Sequence, residues 1–531
     1  MRSGLILLTS SVTDQGDLLR EKLQAKGVAV IQCKPNDVVK IPATITDFVA
    51  TNGLETVVVA NFSPSPPSDA VRNALEKAKL GRLAVSWVDL VPLFAGQSLG
   101  DIVDPATITI LVSIARQQRA NYIGYAVSKM VPATSKVSRR ELFRSIPKMF
   151  RVESDIPVVV PDRCRARADT CDYCRKACPT NAISVVGDTV AINDRLCVEC
   201  GACARDCPIG AIQCPSISDV QIVEMLTELS SEKLETEKRV LMLTCPIGYR
   251  KLLEESEGGK HIGAAIVPIQ IPCVASIGSV HHLWSASLGV TLLPVCPDIA
   301  CSKTVALHPI HNHAMSPKNM PEILSDGRAT TMRYLVLDSN DSIVDSISQA
   351  VTLTGPMNIS PSLSGDSRRD LTLDGLRTLQ QCNGVKMMGD GVLPIFDLKL
   401  DDARCTFCES CQIDCPDHAI EFTRNEDSTT LMFDPALCSG CMICERKCPE
   451  HAITLSRLGD FTSIFGKSKL EKAHDENAKC ENCGTSLGSK RGLVALKKRL
   501  SEKGVADASL KTLNLCRQCK QSALLRGIGP Q

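Results

Sequence analysis

A chain of 531 residues, 44% hydrophobic and 22% charged, is too long for one ordinary hydrophobic core and too apolar for wholesale disorder. Its 60 basic and 59 acidic residues leave a net charge of +1, so the basic excess of a polyanion-binding protein is missing and nucleic acid is not an expected partner. The 27 cysteines cluster at Cys-x2-Cys spacings, which in a long chain points to metal or cluster binding in a reducing compartment, not to the disulfide scaffold of a small secreted domain.

In chain order, Leu5 to Thr9, Val28 to Ile31 and Thr56 to Ala60 are short apolar runs separated by helix-like polar segments. That is the pattern of a parallel α/β domain, expected over 1–134 and closed by a long helix from Thr107 to Met130. Met1 to Ser10 hold one short apolar stretch before Asp14, Asp17, Arg20 and Glu21, so no signal peptide is expected and the cytoplasm is the expected compartment. A linker, 135–157, leads to a cysteine-rich module over 158–216. Residues 217–357 read as a second α/β stretch, with strands at Arg239 to Leu243 and Val290 to Val295. Within it Ile262 to Val280 is the longest uncharged run; Pro268, Gln270 and Pro272 break it, so buried strand and loop are expected and no transmembrane segment. Residues 358–398, rich in Ser, Gly and Asp, read as a connector. A second cysteine-rich module over 399–457 repeats the first, followed by a linker, 458–477, and a small tail, 478–531. The expected fold class is multi-domain, α/β and α+β.

The second module carries Cys405, Cys408, Cys411 and Cys415 before Pro416, then Cys438, Cys441, Cys444 and Cys448 before Pro449. Both runs are C-x2-C-x2-C-x3-C-P, in which one tight loop aims three thiolates at a 4Fe-4S cubane and the fourth, turned away by the proline, reaches the neighbouring cluster. Thiolates suit the task because iron in these states prefers soft, charge-donating sulfur. The expected ligand sets are therefore crossed: Cys405, Cys408, Cys411 and Cys448 for one cluster, and Cys438, Cys441, Cys444 and Cys415 for the other. The first module has one regular run, Cys197, Cys200, Cys203 and Cys207 before Pro208, and one irregular run, Cys164, Cys171, Cys174 and Cys178 before Pro179. Its crossed sets are Cys164, Cys171, Cys174 and Cys207, and Cys197, Cys200, Cys203 and Cys178. Cys164 is the weak member: without it the first cluster is a three-iron species or recruits another group, with Cys214 the nearest spare thiol. Four phrases, Cys-Pro-Thr-Asn-Ala-Ile, Cys-Pro-Ile-Gly-Ala-Ile, Cys-Pro-Asp-His-Ala-Ile and Cys-Pro-Glu-His-Ala-Ile, tie the runs together, and both modules resemble bacterial-type two-cluster ferredoxins.

Four cysteines of the middle stretch, Cys245, Cys273, Cys296 and Cys301, each follow an expected strand. With the segment through Leu353-Thr354-Gly355-Pro356 they are similar to the delta subunit of methyl-viologen-reducing hydrogenase, which implies a 2Fe-2S cluster; unligated core cysteines are the alternative. That family has a second cysteine three residues after the first, where this chain has Gly248. The N-terminal domain resembles the corresponding region of the A-type component of heterodisulfide reductase through Glu55-Thr-Val-Val-Val-Ala-Asn, the helix after Ser68 and Ser86-Trp87-Val88. No Gly-x-Gly-x-x-Gly follows a strand, so no flavin site of that kind is expected.

In the tail, Cys480 and Cys483 stand far from Cys516 and Cys519, a pair of knuckles suited to tetrahedral zinc, with a further cluster or free thiols as alternatives. The basic run Lys490 to Lys503 between them reads as a solvated helix face, and His308, His311 and His313 as a polar surface loop rather than metal ligands. The reading as a whole is of an iron-sulfur relay with four 4Fe-4S clusters, a possible 2Fe-2S cluster and a possible zinc, and with no terminal catalytic residues of its own. Redox partner subunits or a soluble ferredoxin would then complete the path. A self-sufficient reductase centred on the middle cysteines, and a redox-sensing interaction protein, are the alternatives.

Overall fold

The computed structural model describes residues 3–8, 14–33, 41–61, 69–78, 80, 85–90, 99–118, 155–166, 170–231, 239–263, 265–298, 301, 322–325, 328–331, 334–350, 362–381, 393–458, 461, 464 and 469–525. They fall into two compact units: Met1–Cys164 with Tyr173–Val186 and Val190–Lys386, and Arg165–Asp172 with Gly187–Thr189 and Met387–Gln531.

In the first unit, the branched apolar runs become strands Ser3–Leu8, Ala29–Cys33, Thr56–Asn61 and Val85–Asp89. They form a parallel sheet in the order 29–33, 3–8, 56–61, 85–89, with helices Asp14–Ala25, Ile41–Asn52 and Asp69–Lys77 as crossovers. Leu5 to Leu8 and Val57 to Ala60 are buried on both faces, which is why these strands read as continuous apolar runs without alternation. The closing helix spans Leu99–Gln118, starting before the expected Thr107 and taking in Pro105; residues 119–130 are outside the described set.

A second parallel sheet holds Val240–Thr244, Ile266–Gln270, Thr291–Cys296 and Leu335–Val336 in the order 266–270, 240–244, 291–296, 335–336. Ala106, Ile110 and Ile114 of the Leu99–Gln118 helix share one core with Leu5, Leu7, Val58 and Ala60 of the first sheet and with Val240, Met242, Leu293 and Val295 of the second. Two α/β layers thus bury a common apolar volume, and Arg116 at the end of that helix bonds the carbonyls of Gln270 and Ser216 at 3.0 and 2.8 Å.

The stretch expected as a connector contains the helix Arg368–Gln380. Its Ser-Gly-Asp opening does turn, but Leu371, Leu373, Leu376 and Leu379 recur at helical spacing and are buried. Ser367 caps the helix by accepting the Asp370 N–H, and Trp284 Nε1 donates to Leu371 O at 2.9 Å, which docks it on the helix Ser279–Leu288. Gly375 allows the close approach: a Cβ there would lie 3.0 Å from Leu283 Cδ2 and 3.2 Å from Trp284 Nε1.

In the second unit, Phe396–Leu400 pairs antiparallel with Ile453–Arg457, and Ile420–Arg424, Ser428–Phe433, Leu470–Lys479 and Ser486–Ser489 form an antiparallel sheet in chain order. Leu470–Lys479 lies largely in the stretch expected as a linker. Helices Lys490–Glu502, Asp507–Lys511 and Arg517–Leu525 follow, the first with no buried residue, as a solvated face requires. Among the described residues no helix is long and apolar enough to cross a membrane.

Replacing Gly375 by Val inserts three carbons between two packed helices, and overpacking of this kind costs about 1–3 kcal/mol. The Gly375→Val protein should unfold earlier in a denaturant titration followed by Trp284 emission; an unchanged midpoint would mean the two helices do not pack there.

Candidate metal centres

The cysteine loops are built from backbone that other residues avoid. All the described non-glycine residues with left-handed backbone lie in these loops: Asn181, Glu199, Phe407, Glu409, His418, Met442 and His451, with φ between 48° and 62°. Around the second cysteine of each regular run, both neighbours are left-handed: Glu199 and Gly201 about Cys200, Phe407 and Glu409 about Cys408, Gly440 and Met442 about Cys441. Alternating handedness turns successive N–H groups to one concave side, a nest for an anionic group. The Glu199 and Gly440 N–H groups point at Cys197 Sγ and Cys438 Sγ, each at 3.4 Å.

The fourth cysteines share a second device. In the four Cys-Pro phrases the residue before Ala is Asn181, Gly210, His418 or His451, all left-handed, and the turn lets the Ala N–H reach back to the sulfur. Ala182 donates to Cys178 Sγ at 3.2 Å, Ala211 to Cys207 at 3.2 Å, Ala419 to Cys415 at 3.3 Å and Ala452 to Cys448 at 3.3 Å. Hydrogen bonds of this kind stabilise charge on sulfur and are one of the levers on cluster potential. In the second module the repeat extends further: Gln412 Oε1 accepts the Phe422 N–H at 2.7 Å and Glu445 Oε2 the Leu455 N–H at 2.8 Å, each from the residue after a third cysteine.

The thiols converge across the runs. Cys405, Cys408, Cys411 and Cys448 line one cavity, and Cys178, Cys197, Cys200 and Cys203 another. Cys415 lies within electrostatic reach of Cys438, Cys441 and Cys444, and Cys174 within reach of Cys207 and Cys164. Cys171 is half-buried. Burial pushes the Cys174 thiol up to about 12, with Cys207 and Cys164 adding to it. It does the same to Cys411, reinforced by Cys405, Cys408 and Cys448, and to Cys438. Such thiols are neutral in the metal-free chain, so iron must displace their protons. The third cysteines link the two sets of a module, Cys174 lying within electrostatic reach of Cys203 and Cys411 within reach of Cys444. Cys408 is exposed, whereas Cys438, Cys441 and Cys444 are buried. Four sulfurs around a small cavity with N–H donors aimed at them fit a 4Fe-4S group.

In the middle domain, Cys245 begins the helix Pro246–Glu257, Cys273 begins the turn Val274–Ser276, Cys296 ends its strand and Cys301 follows. All four leave the carboxyl edge of the parallel sheet, where ligands of such sheets bind. Burial pushes Cys296 up to about 11, with Cys245 and Cys301 close enough to contribute. Gly248 has a local cause: a Cβ there would meet Thr244 Oγ1 at 2.1 Å, and that hydroxyl is held by donating to Val295 O at 2.9 Å.

In the tail, the sulfurs of Cys480, Cys483, Cys516 and Cys519 all lie within 4.8 Å of one another, a spacing that fits one tetrahedral ion. The Cys516 N–H donates to Cys480 Sγ at 3.3 Å, pulling that thiol down toward thiolate, and Asn482 Nδ2 donates to Cys519 Sγ at 3.2 Å. His308, His311 and His313, and Leu353 to Pro356, lie outside the described residues. Sequence reasoning missed Asp219, His281 and Arg368, three buried polar side chains that meet beside Cys207. No motif marks them; the only signal was an arginine opening a helix whose other face is leucine.

Residues 150–211 match the 4Fe-4S dicluster domain and residues 431–454 the 4Fe-4S binding domain. The chain carries two ferredoxin-type 4Fe-4S domains. Both domains are of the iron-sulfur type, and the chain has weak similarity to hydrogenase-related subunits. It is 36% identical over 81 residues to formate hydrogenlyase subunit 2 of Escherichia coli, a match that covers 15% of this chain and 38% of that protein. The Shigella flexneri protein of the same description matches equally. Hydrogenase-4 component A of Escherichia coli is 45% identical over 47 residues, 8% of this chain and 23% of its own length. The chain thus spans well under half the length of these relatives.

The convergence across runs has a direct consequence. Cys415→Ser should damage the same cluster as Cys441→Ser, and Cys448→Ser the same one as Cys408→Ser, when the four single variants are reduced in parallel and compared by electron paramagnetic resonance. Pairing of Cys415→Ser with Cys408→Ser instead would mean that each run holds its own cluster.

Proposed function

We propose that this chain is a non-catalytic electron conduit, a subunit or adaptor of a hydrogenase-like or heterodisulfide-reductase-like complex that wires a dehydrogenase to a low-potential acceptor. The observation that carries this reading is the convergence of four thiols on each of two cavities, Cys405, Cys408, Cys411 and Cys448 on one and Cys178, Cys197, Cys200 and Cys203 on the other, with Cys174 within electrostatic reach of Cys203 and Cys411 of Cys444. When bound, a 4Fe-4S cluster takes up and releases one electron with little rearrangement, and the chain's own part is to hold neighbours close, exclude water and set potentials. Cys408, exposed at its loop, offers an edge for exchange with a partner, while the buried Cys438, Cys441 and Cys444 guard the interior site. The relatives are named for hydrogenase assemblies, which supports partner subunits of that kind.

In this reading the ligands are the sixteen ferredoxin cysteines named above, for four 4Fe-4S clusters. Cys245, Cys273, Cys296 and Cys301 hold a 2Fe-2S cluster at the sheet edge, and Cys480, Cys483, Cys516 and Cys519 hold zinc, which orders a segment too small for a core of its own. Anaerobically purified protein should then contain about eighteen irons, from four times four plus two, and about one zinc, following the ligand counts of these centres. Fewer than about twelve irons after full reconstitution would sink the four-cluster assignment.

The functional test uses the isolated chain. Reduced by dithionite, it should hand electrons to an oxidised ferredoxin or viologen dye, yet show no turnover of hydrogen, formate or a disulfide until a partner is added. Sustained disulfide reduction by the chain alone, lost with Cys296→Ser, would replace the conduit reading with that of a self-sufficient reductase.

A further inference from the structure

Asp219, at the start of the helix Asp219–Ser231, is buried with two partners. Arg368 donates from Nε to Asp219 Oδ2 at 2.9 Å and from Nη2 to Oδ1 at 2.6 Å, the bidentate geometry of a strong ion pair. His281 Nε2 lies 3.0 Å from Asp219 Oδ1, and His281 Nδ1 accepts the Gly278 N–H at 3.0 Å. With Nδ1 accepting, the ring proton belongs on Nε2, and the imidazole is a neutral donor to the carboxylate. The side chains of Arg368, Asp219 and His281 are 4%, 7% and 1% exposed. Burial raises the Asp219 pKa, but Arg368 and His281 more than offset this and hold the carboxyl well below the usual range.

A buried ion pair is seldom more stabilising than apolar packing of the same volume, so stability alone is a poor reason for this one. Its remaining nitrogen supplies another. Arg368 Nη1 donates to the carbonyls of Ala204 and Arg205 and, at 3.3 Å, of Cys207. These close the short helix Ala202–Asp206, which carries Cys203 and leads into Cys207. Gly210 makes room: its φ is +64°, and a Cβ there would lie 3.2 Å from both the backbone nitrogen and Cβ of Arg368. Arg163 Nη2, one residue before Cys164, donates to Asp366 at 2.5 Å, so the same segment is fastened to both ends of the module.

We propose that Arg368 sets the reduction potential of the cluster that Cys207 ligates, with Asp219 holding its guanidinium in place and partly compensating its charge. The proposal rests on the assignment of Cys207 as a cluster ligand. One electron taken from an external reductant adds one negative charge to a cluster in a poorly polarisable interior, and no proton need move with it. A fixed positive charge beside the ligand loop stabilises that reduced form and raises the potential. Asp219 takes the Nε and Nη2 side of the guanidinium while Nη1 faces the loop, so at Cys207 the carboxylate opposes the cation more weakly than the cation acts. Arginine suits the role because it stays charged even when buried.

The test is a redox titration of the full chain, purified anaerobically, with each cluster followed by electron paramagnetic resonance and iron content measured first. Arg368→Met should move one first-module signal to lower potential, Asp219→Asn should move the same signal to higher potential, and Arg368→Lys should return it toward the parent value. The second-module signals should stay where they are. Shifts of the same sign in the first two variants, or no shift at full iron content, overturn the proposal. If either single variant loses iron, the double variant Asp219→Leu/Arg368→Met, which leaves no buried charge alone, decides: a lowered potential supports it and the parent potential overturns it. A Cys207→Ser protein that keeps every cluster signal removes the ligand assignment itself, and the proposal with it.

Discussion

The architecture depends on one constraint: short loops must turn several sulfurs and several N–H groups toward the same small volume. Right-handed or extended backbone cannot do this in so few residues, so the loops alternate hands about Cys200, Cys408 and Cys441. Left-handed backbone costs roughly 1–2 kcal/mol at a non-glycine residue, and Glu199, Phe407, Glu409 and Met442 each accept that cost. Strain of this order persists only where the surroundings over-determine it. Gly440 is the position where nothing else fits, since its φ is +67° and a Cβ would lie 2.3 Å from the Phe396 ring. Phe396 belongs to the strand that pairs with Ile453–Arg457, so the sheet of the second module and its cluster loop fix one another.

What the sequence disclosed follows from this. Cysteine spacing and the Cys-Pro phrases are local, and local geometry is what they encode; the convergence of Cys448 with Cys405 and Cys411 could be read from the linear order alone. The parallel strands were equally legible, because strands buried on both faces are continuous apolar runs such as Val57 to Ala60. Two readings fell short for the same reason. Residues 358–398 and 458–477 begin with turn-rich or polar sequence, yet they contribute the Arg368–Gln380 helix and the Leu470–Lys479 strand. Those elements are stabilised by tertiary partners, Trp284 and Ser287 for the helix and Ser428–Phe433 for the strand, and tertiary partners are invisible in a local window. The Asp219, His281 and Arg368 meeting point belongs to this class: its members are up to 149 residues apart in sequence.

In both units a segment from outside the cysteine runs supports a ligand loop, and it does so with an arginine. Arg491, at the start of the tail's first helix, stacks over the Phe407 ring at 4.5 Å from its centroid. Its nitrogens bond the Asp475 carboxylate at 3.1 Å, the Asp402 carbonyl at 2.7 Å and carboxylate at 3.0 Å, and the His474 carbonyl at 2.7 Å. Gly492 lets the helix come close, since a Cβ there would be 3.3 Å from Phe407 O. Burial raises the Cys405 thiol, and the Phe407 N–H and Arg491 oppose that rise. Arg491 is part-exposed and shared among four acceptors, so its field is screened more than that of Arg368. The two modules therefore place similar cations in unlike dielectric settings, and that difference is a physical means of giving repeated cluster loops unequal potentials.

The first module also leans directly on the middle domain. A Cβ on Gly201 would lie 2.6 Å from Ser276 Cβ, and Arg205 Nη1 donates to Ala275 O at 3.2 Å. Ser276 in turn closes the turn that Cys273 opens, its hydroxyl donating to Cys273 O at 2.8 Å. Three peptide steps, of at most about 3.8 Å each, therefore separate the Cα of Cys273 from the residue that touches the Cys200–Cys203 loop. Gly201 must remain small and left-handed for this contact to exist, and Ser276 must keep its turn. The same few atoms thus shape the cluster loop on one side and position a middle-domain thiol on the other.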